Sequence, residues 1–277
     1  TPGENQASVE FNPPTNPGTT TITNYEYSLN DGTDWNPFNP EQDASPVTVS
    51  GLTDYQTYPL KLRAVNEAGS GATSSSFEIY ACANPTNGGA IADDQNLFEG
   101  DTPALLTNET DASGQYGDLE YKWQLSTTSP TDGFTDIPGA GDATYQPDAT
   151  FETTWFRRLA RVSCKADWSG AVQSNVVEIY IYQPPVVEIT SPVDGSSTYD
   201  ATITVSGTAS DPDNDLVSVY VRINGGGWQL ATGTSNWQKD LPVIFGNNLI
   251  EAKSTDAQGL ESDLDAVTIF AGVQEVA

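Results

Sequence analysis

The sequence predicts an all-β protein of three tandem β-sandwiches in an extended array. Apolar and polar residues alternate at period two through Ile22–Gly71 and again, strictly, over Leu216–Ile223, as in strands with one buried face. Turn residues such as Asp31-Gly32, Glu67-Ala68-Gly69 and Asn224-Gly225 break these runs, at the spacing of about 8–12 residues that sandwiches show. No window of helical periodicity is long enough to compete, although 277 residues leave room for two or three domains.

Taken in order, residues 1–82 form the first module. Ala7–Phe11 is its first strand, and Tyr58 opens another that ends in Ala64-Val65-Asn66. Leu52 stands six residues before Tyr58, the setting of a tyrosine corner, whose hydroxyl bonds back to the backbone. Cys82–Gly89, rich in Asn, Pro and Gly, reads as a linker. Residues 83–183 follow, with strands at Pro103–Thr107, Leu119–Leu125, Thr153–Val162 and Val172–Tyr182. Pro184-Pro185 stiffens the next junction, and residues 184–277 form the third module, where Asn224-Gly225 closes a hairpin after Leu216–Ile223.

Ile22–Gly71, with Phe11-Asn12-Pro13-Pro14 before it, resembles a bacterial fibronectin type III module. The order of GAIADDQ, PALLTN, LEYKWQL, TTWFRRLARVSC and SNVVEIYI in the second module is similar to the PKD-like, Ig-like repeats of bacterial surface adhesins. The third module, with SGTASDPDNDLVSVYVRINGG, resembles another bacterial Ig-like family of secreted proteins. These resemblances imply spacers and binding surfaces, with Trp123 as the buried tryptophan of strand C. They also imply a Cys82–Cys164 disulfide, since such repeats commonly carry cysteines at these two places; the alternative is a pair of buried thiols. The even count suits an exported chain, and closing an 82-residue separation would stabilise by about 4–5 kcal/mol in the chain-entropy model. A fibronectin type III module has a strand before the loop Pro2–Gln6, and none is expected here. The edge of Ala7–Phe11 is then open, either by truncation or for a strand from another copy. Gly272–Ala277, apolar at alternating positions, is the candidate donor.

Charge excludes some functions. Residues 1–82 carry two cations against ten acids, 83–183 five against fifteen and 184–277 three against thirteen, for a net charge of −28. Each module would repel a phosphate backbone, so nucleic acid is not a partner. No apolar run is long enough for membrane insertion. The absence of Met means that residue 1 is not an initiator, as in a processed or excised piece of an exported chain. With no His, Ser-His-Asp and Cys-His chemistry and most zinc sites are gone, and no glycine-rich phosphate loop is present.

Asp211, Asp213 and Asp215 alternate in one loop, supplying the hard oxygens that calcium takes. The loop is not an EF-hand, because Leu216 and Arg222 stand where the Gly and the bidentate Glu would be. In an Ig-like module the turn carrying Asp256 lies at the same end, so Asp256 would complete the set. The alternative is an acidic turn whose side chains bond local amides. Arg157 and Arg161 share one strand face and Arg158 the other, with Glu120 as a partner. Trp35, Trp168 and Trp228 would stack on sugars, with hairpin capping the alternative for Trp35 and Trp228; Asp31 and Asp34 belong to a hairpin turn, and Asn108-Glu109-Thr110 has the form of a glycosylation acceptor. The expected function is a non-catalytic structural or adhesive segment of a secreted or cell-surface bacterial protein. Its partners would be copies of itself, neighbouring modules of a longer chain, glycans or surface proteins. The alternative is an accessory region of a secreted polysaccharide-degrading enzyme.

Overall fold

A computed structural model describes residues 1–18 and 20–273. It has no helix among them, and the chain divides into two compact units: Thr1–Gln95 with Thr102–Ile179, and Asn96–Asp101 with Tyr180–Ala277.

In the first unit, β1 (Pro2–Gly3), β2 (Gln6–Val9) and β5 (Val47–Ser50) form one sheet, and β4 (Asn36–Pro37), β3 (Asn24–Ser28), β6 (Thr57–Asn66) and β7 (Gly69–Thr73) the other, with β8 (Phe77–Tyr80) also on β6. Ala7 faces Val49 and Val9 faces Val47 across the ladder, and all four are buried with Tyr25, Leu60 and Leu62. The Tyr58 hydroxyl accepts the Thr53 amide at 3.1 Å, so the tyrosine corner is present. The edge expected to stand open is covered: Pro2 pairs with Ala7, Gly3 with Gln6, and the Ser8 amide donates to the Thr1 carbonyl. Glu4 and Asn5 make the reversal, Asn5 taking the positive φ of 53° that its short polar side chain tolerates.

The same unit holds β9 (Ala90–Ile91) and β11 (Asn108–Thr110), a small ribbon, and β12 (Leu119–Ser126), β13 (Thr135–Asp136), β14 (Thr154–Val162) and β15 (Val172–Tyr182) of a larger sheet. Between them lie Trp123, fully buried with its indole N–H on the Asp142 carbonyl, and Phe156, Ala160 and Val162. The strand expected at Pro103–Thr107 is only a bridge of Leu106 to Tyr145; Pro103 has no amide to give a ladder, and pairing starts at Asn108. Cys82–Gly89 is not a free linker either. Ala81, Cys82 and Ala83 are fully buried. The Cys82 amide donates to Gly3, and Ala83 and Asn87 bridge to Tyr116 and Ser113. Cys82 and Cys164 are joined in a disulfide. Lys165 pairs with Asp54 at 2.9 Å and the Tyr55 hydroxyl donates to the Asn84 carbonyl. The two modules of this unit are therefore packed onto each other through residues that the sequence assigned to a tether.

In the second unit, β16 (Val186–Ser191), β18 (Thr202–Ser210) and β21 (Asn236–Pro242) form one sheet. The other runs β17 (Ser197–Thr198), β23 (Asp265–Ala271), β22 (Gly246–Asp256), β19 (Leu216–Ile223) and β20 (Gln229–Leu230), and Ser197 pairs in parallel with Phe270. β10 (Gln95–Phe98) completes the strands. Val205, Val219, Val221, Trp237, Leu241 and Ile250 fill the sandwich. Asn224 and Gly225, both at positive φ, make the expected hairpin turn. Gly207 sits where the sheets close most tightly: an added Cβ would lie 1.9 Å from the Glu188 carbonyl and 2.4 Å from the Trp237 ring. Of the expected strand donor, Gly272 and Val273 follow β23, and 274–277 lie outside the described residues.

Candidate metal centre

Two turns at one end of the last sandwich build the site. β18 stops at Ser210 and β19 begins at Leu216, leaving Asp211–Asp215 to reverse the chain. Asn214 takes the left-handed step at φ 63° and its amide returns to the Asp211 carbonyl. Asp211 Oδ1 accepts the Asp213 amide at 2.7 Å. On the other side β22 ends at Asp256, directly opposite Leu216 in the ladder, and its Oδ1 accepts the Leu260 amide at 2.7 Å. Asp211 and Asp256 thus each spend one carboxylate oxygen on shaping their own turn.

The remaining oxygens converge. Asp211, Asp215 and Asp256 each place a carboxylate oxygen within 4.8 Å of the other two. Asp211 is 9% exposed and Asp256 4%. Asp211 Oδ2, Asp215 Oδ1 and Asp256 Oδ2 are all buried without a hydrogen-bond partner. None of the ion pairs among the described residues includes them. The Asp215 carboxyl is pushed above its ordinary range, first by loss of solvent and then by the charges of Asp211, Asp256 and Asp213. Hard oxygens gathered without a donor are what a divalent cation takes as ligands.

Asp213 does not join them. Its carboxylate accepts the Tyr180 hydroxyl and, at 2.8 Å, the Gln183 amide. Those two donors hold both of its carboxylate oxygens away from the cluster. Gln258, two residues beyond Asp256, also has a buried and unpartnered Oε1; a neutral side chain adds nothing to a pattern of charges, so that pattern did not single it out.

The other candidates are occupied. Arg63 lies over Trp35 at 4.2 Å, Lys122 and Arg161 over Trp168, and Arg222 and Lys253 over Trp228, so each indole has at least one cation on its ring. Asp31 pairs with Lys61, and Asp34 accepts from Asn30. Arg161 pairs with Glu120 at 2.8 Å and Arg157 bonds Gln124 and Gln173. Asn108, in the glycosylation-like tripeptide, is held by Arg158 and Asp111. No helix among the described residues is long and apolar enough to cross a membrane.

Residues 87–183 match a family described as a domain of unknown function (DUF8696), and residues 185–273 match glucodextranase, domain B. Tandem β-sandwiches make up the chain. Among solved structures it is similar to the fibronectin(III)-like modules of CbhA from Clostridium thermocellum, with 17% identity over 68% of this chain and 97% of that one, at a TM-score of 0.33. An I-band fragment of titin shows 10% identity over 91% and 88%, at 0.40. The endo-β-1,4-mannanase from Thermotoga petrophila shows 15% identity over 33% of this chain and 20% of that one, at 0.29. The Cys82–Cys164 bridge fits an oxidising compartment, as in secreted proteins.

Proposed function

We propose that the chain is a non-catalytic, structural region of an exported bacterial surface protein, which spaces and joins what lies on either side of it. The observation that carries this reading is the packed stretch Cys82–Gly89. Its buried backbone, its disulfide and the Lys165–Asp54 and Tyr55–Asn84 contacts turn two modules into one body, which suits a spacer better than a string of independent binders. A chain without His also lacks the commonest general base. Copies of itself, neighbouring modules or surface proteins are the partners of such a region.

The match of residues 185–273 to glucodextranase domain B favours a second reading, an accessory region of a secreted polysaccharide-acting enzyme that engages glycans. Glycan-array binding and sedimentation velocity on the full chain separate the two. The structural reading expects no retained glycan and either a stiff monomer or concentration-dependent assembly. Saturable binding to one glycan class would replace it with the accessory reading.

A further inference from the structure

We propose that Asp211, Asp215 and Asp256 hold one calcium ion, with Gln258 Oε1 as a fourth, neutral oxygen. Four buried oxygens in two turns lack any donor, and two belong to side chains more than nine-tenths buried. Leaving charged groups in this state is costly, because no donor or cationic side chain of the protein compensates them. An acidic turn bonded only to its own amides accounts for Asp211 Oδ1 and Asp256 Oδ1; it leaves the other oxygens unexplained.

The ligand set favours calcium over magnesium. Calcium takes cages of protein oxygens at about 2.3–2.6 Å in a flexible geometry, whereas magnesium at about 2.0–2.1 Å demands an octahedron and keeps several of its waters. The carboxylate oxygens here lie within 4.8 Å of one another, close enough to share one ion. Asp213 remains outside the sphere, on Tyr180 and Gln183. The ion therefore ties β18–β19 to the end of β22, closing one end of the sandwich, and its effect is on the stability of residues 184–273.

The test uses the full chain, stripped with chelator, in calorimetric titrations and thermal melts. Calcium should bind at one saturable site and raise the melting of the third module by about 10 °C at a hundredfold excess over Kd; magnesium should give a much smaller rise. Asp215→Asn and Asp256→Asn should lose both the site and the rise, yet melt in chelator no lower than wild type, since each removes a repelling charge. Asp213→Asn should keep the site. Equal melting in calcium and chelator overturns the proposal. So does many-site uptake that survives Asp215→Asn, which would be condensation on an acidic surface, and so does an equal response to magnesium. Should Asp256→Asn fail to fold, Gln258→Ala weakens calcium binding with no charge removed, and unchanged binding there removes Gln258 from the site.

Discussion

Arg158 is fully buried in a chain whose cations are otherwise busy at its surface. Seven of the ten cations pair with carboxylates. Arg158 instead donates to the Asn108 side chain and to the Ala143 and Thr110 carbonyls, and lies over the Tyr121 ring. Burial lowers its pKa, as expected for a cation taken from water without a bound carboxylate. Arg158→Met should keep the packing but strand three acceptors, at about 1–3 kcal/mol each when buried, for a loss of roughly 3 kcal/mol or more. Urea denaturation measures it, and an unchanged midpoint would mean that the guanidinium contributes nothing net. Strand alternation was legible enough to put Arg158 on the face opposite Arg157 and Arg161. That this face is the core was not, because a cation at an inward position looks like a surface one until its acceptors, up to 50 residues away, are in place.

At the scale of elements, strands with regular alternation were readable from sequence and loops with tertiary roles were not. Leu216–Ile223 forms with the expected bounds, since eight alternating residues and an Asn-Gly turn leave little freedom. Cys82–Gly89 has a linker's composition, but its burial depends on Gly3, Ser113 and Tyr116, which no local pattern reveals. The Asp211–Asp215 turn lies between: the meeting of Asp211 and Asp215 with Asp256 was legible, whereas the capture of Asp213 by Tyr180 and Gln183, some 30 residues back, was not. Gly207 shows how tightly two elements can depend on a missing atom. With 1.9 Å to a carbonyl on the neighbouring strand, Gly207→Ala must push β16 away from β18 or displace the Trp237 ring. The expected cost is about 1–3 kcal/mol, read as a lower melting temperature of the third module; wild-type stability would mean that the ladder yields freely there.

For the whole molecule, net charge opposes compaction, and internal pairing does not remove it. A net charge of −28 remains after every internal pairing, and self-repulsion acts against each compact state. In chelator, raising monovalent salt from about 0.01 M to about 0.15 M shortens the screening length from about 30 Å to about 8 Å. Melting temperatures should rise by several degrees as a result, and a flat response would show that the carboxylates are too far apart to matter. The Cys82–Cys164 bond has a consequence of another kind, for a chain under tension. A pull applied at the two ends reaches Cys82, crosses a covalent shortcut to Cys164, and bypasses everything between. Residues 83–163 then bear no load, and at about 3.4 Å per extended residue roughly 280 Å of contour stays stowed. Reduction would release that slack, making the bond a stop that fixes how far the tether can stretch.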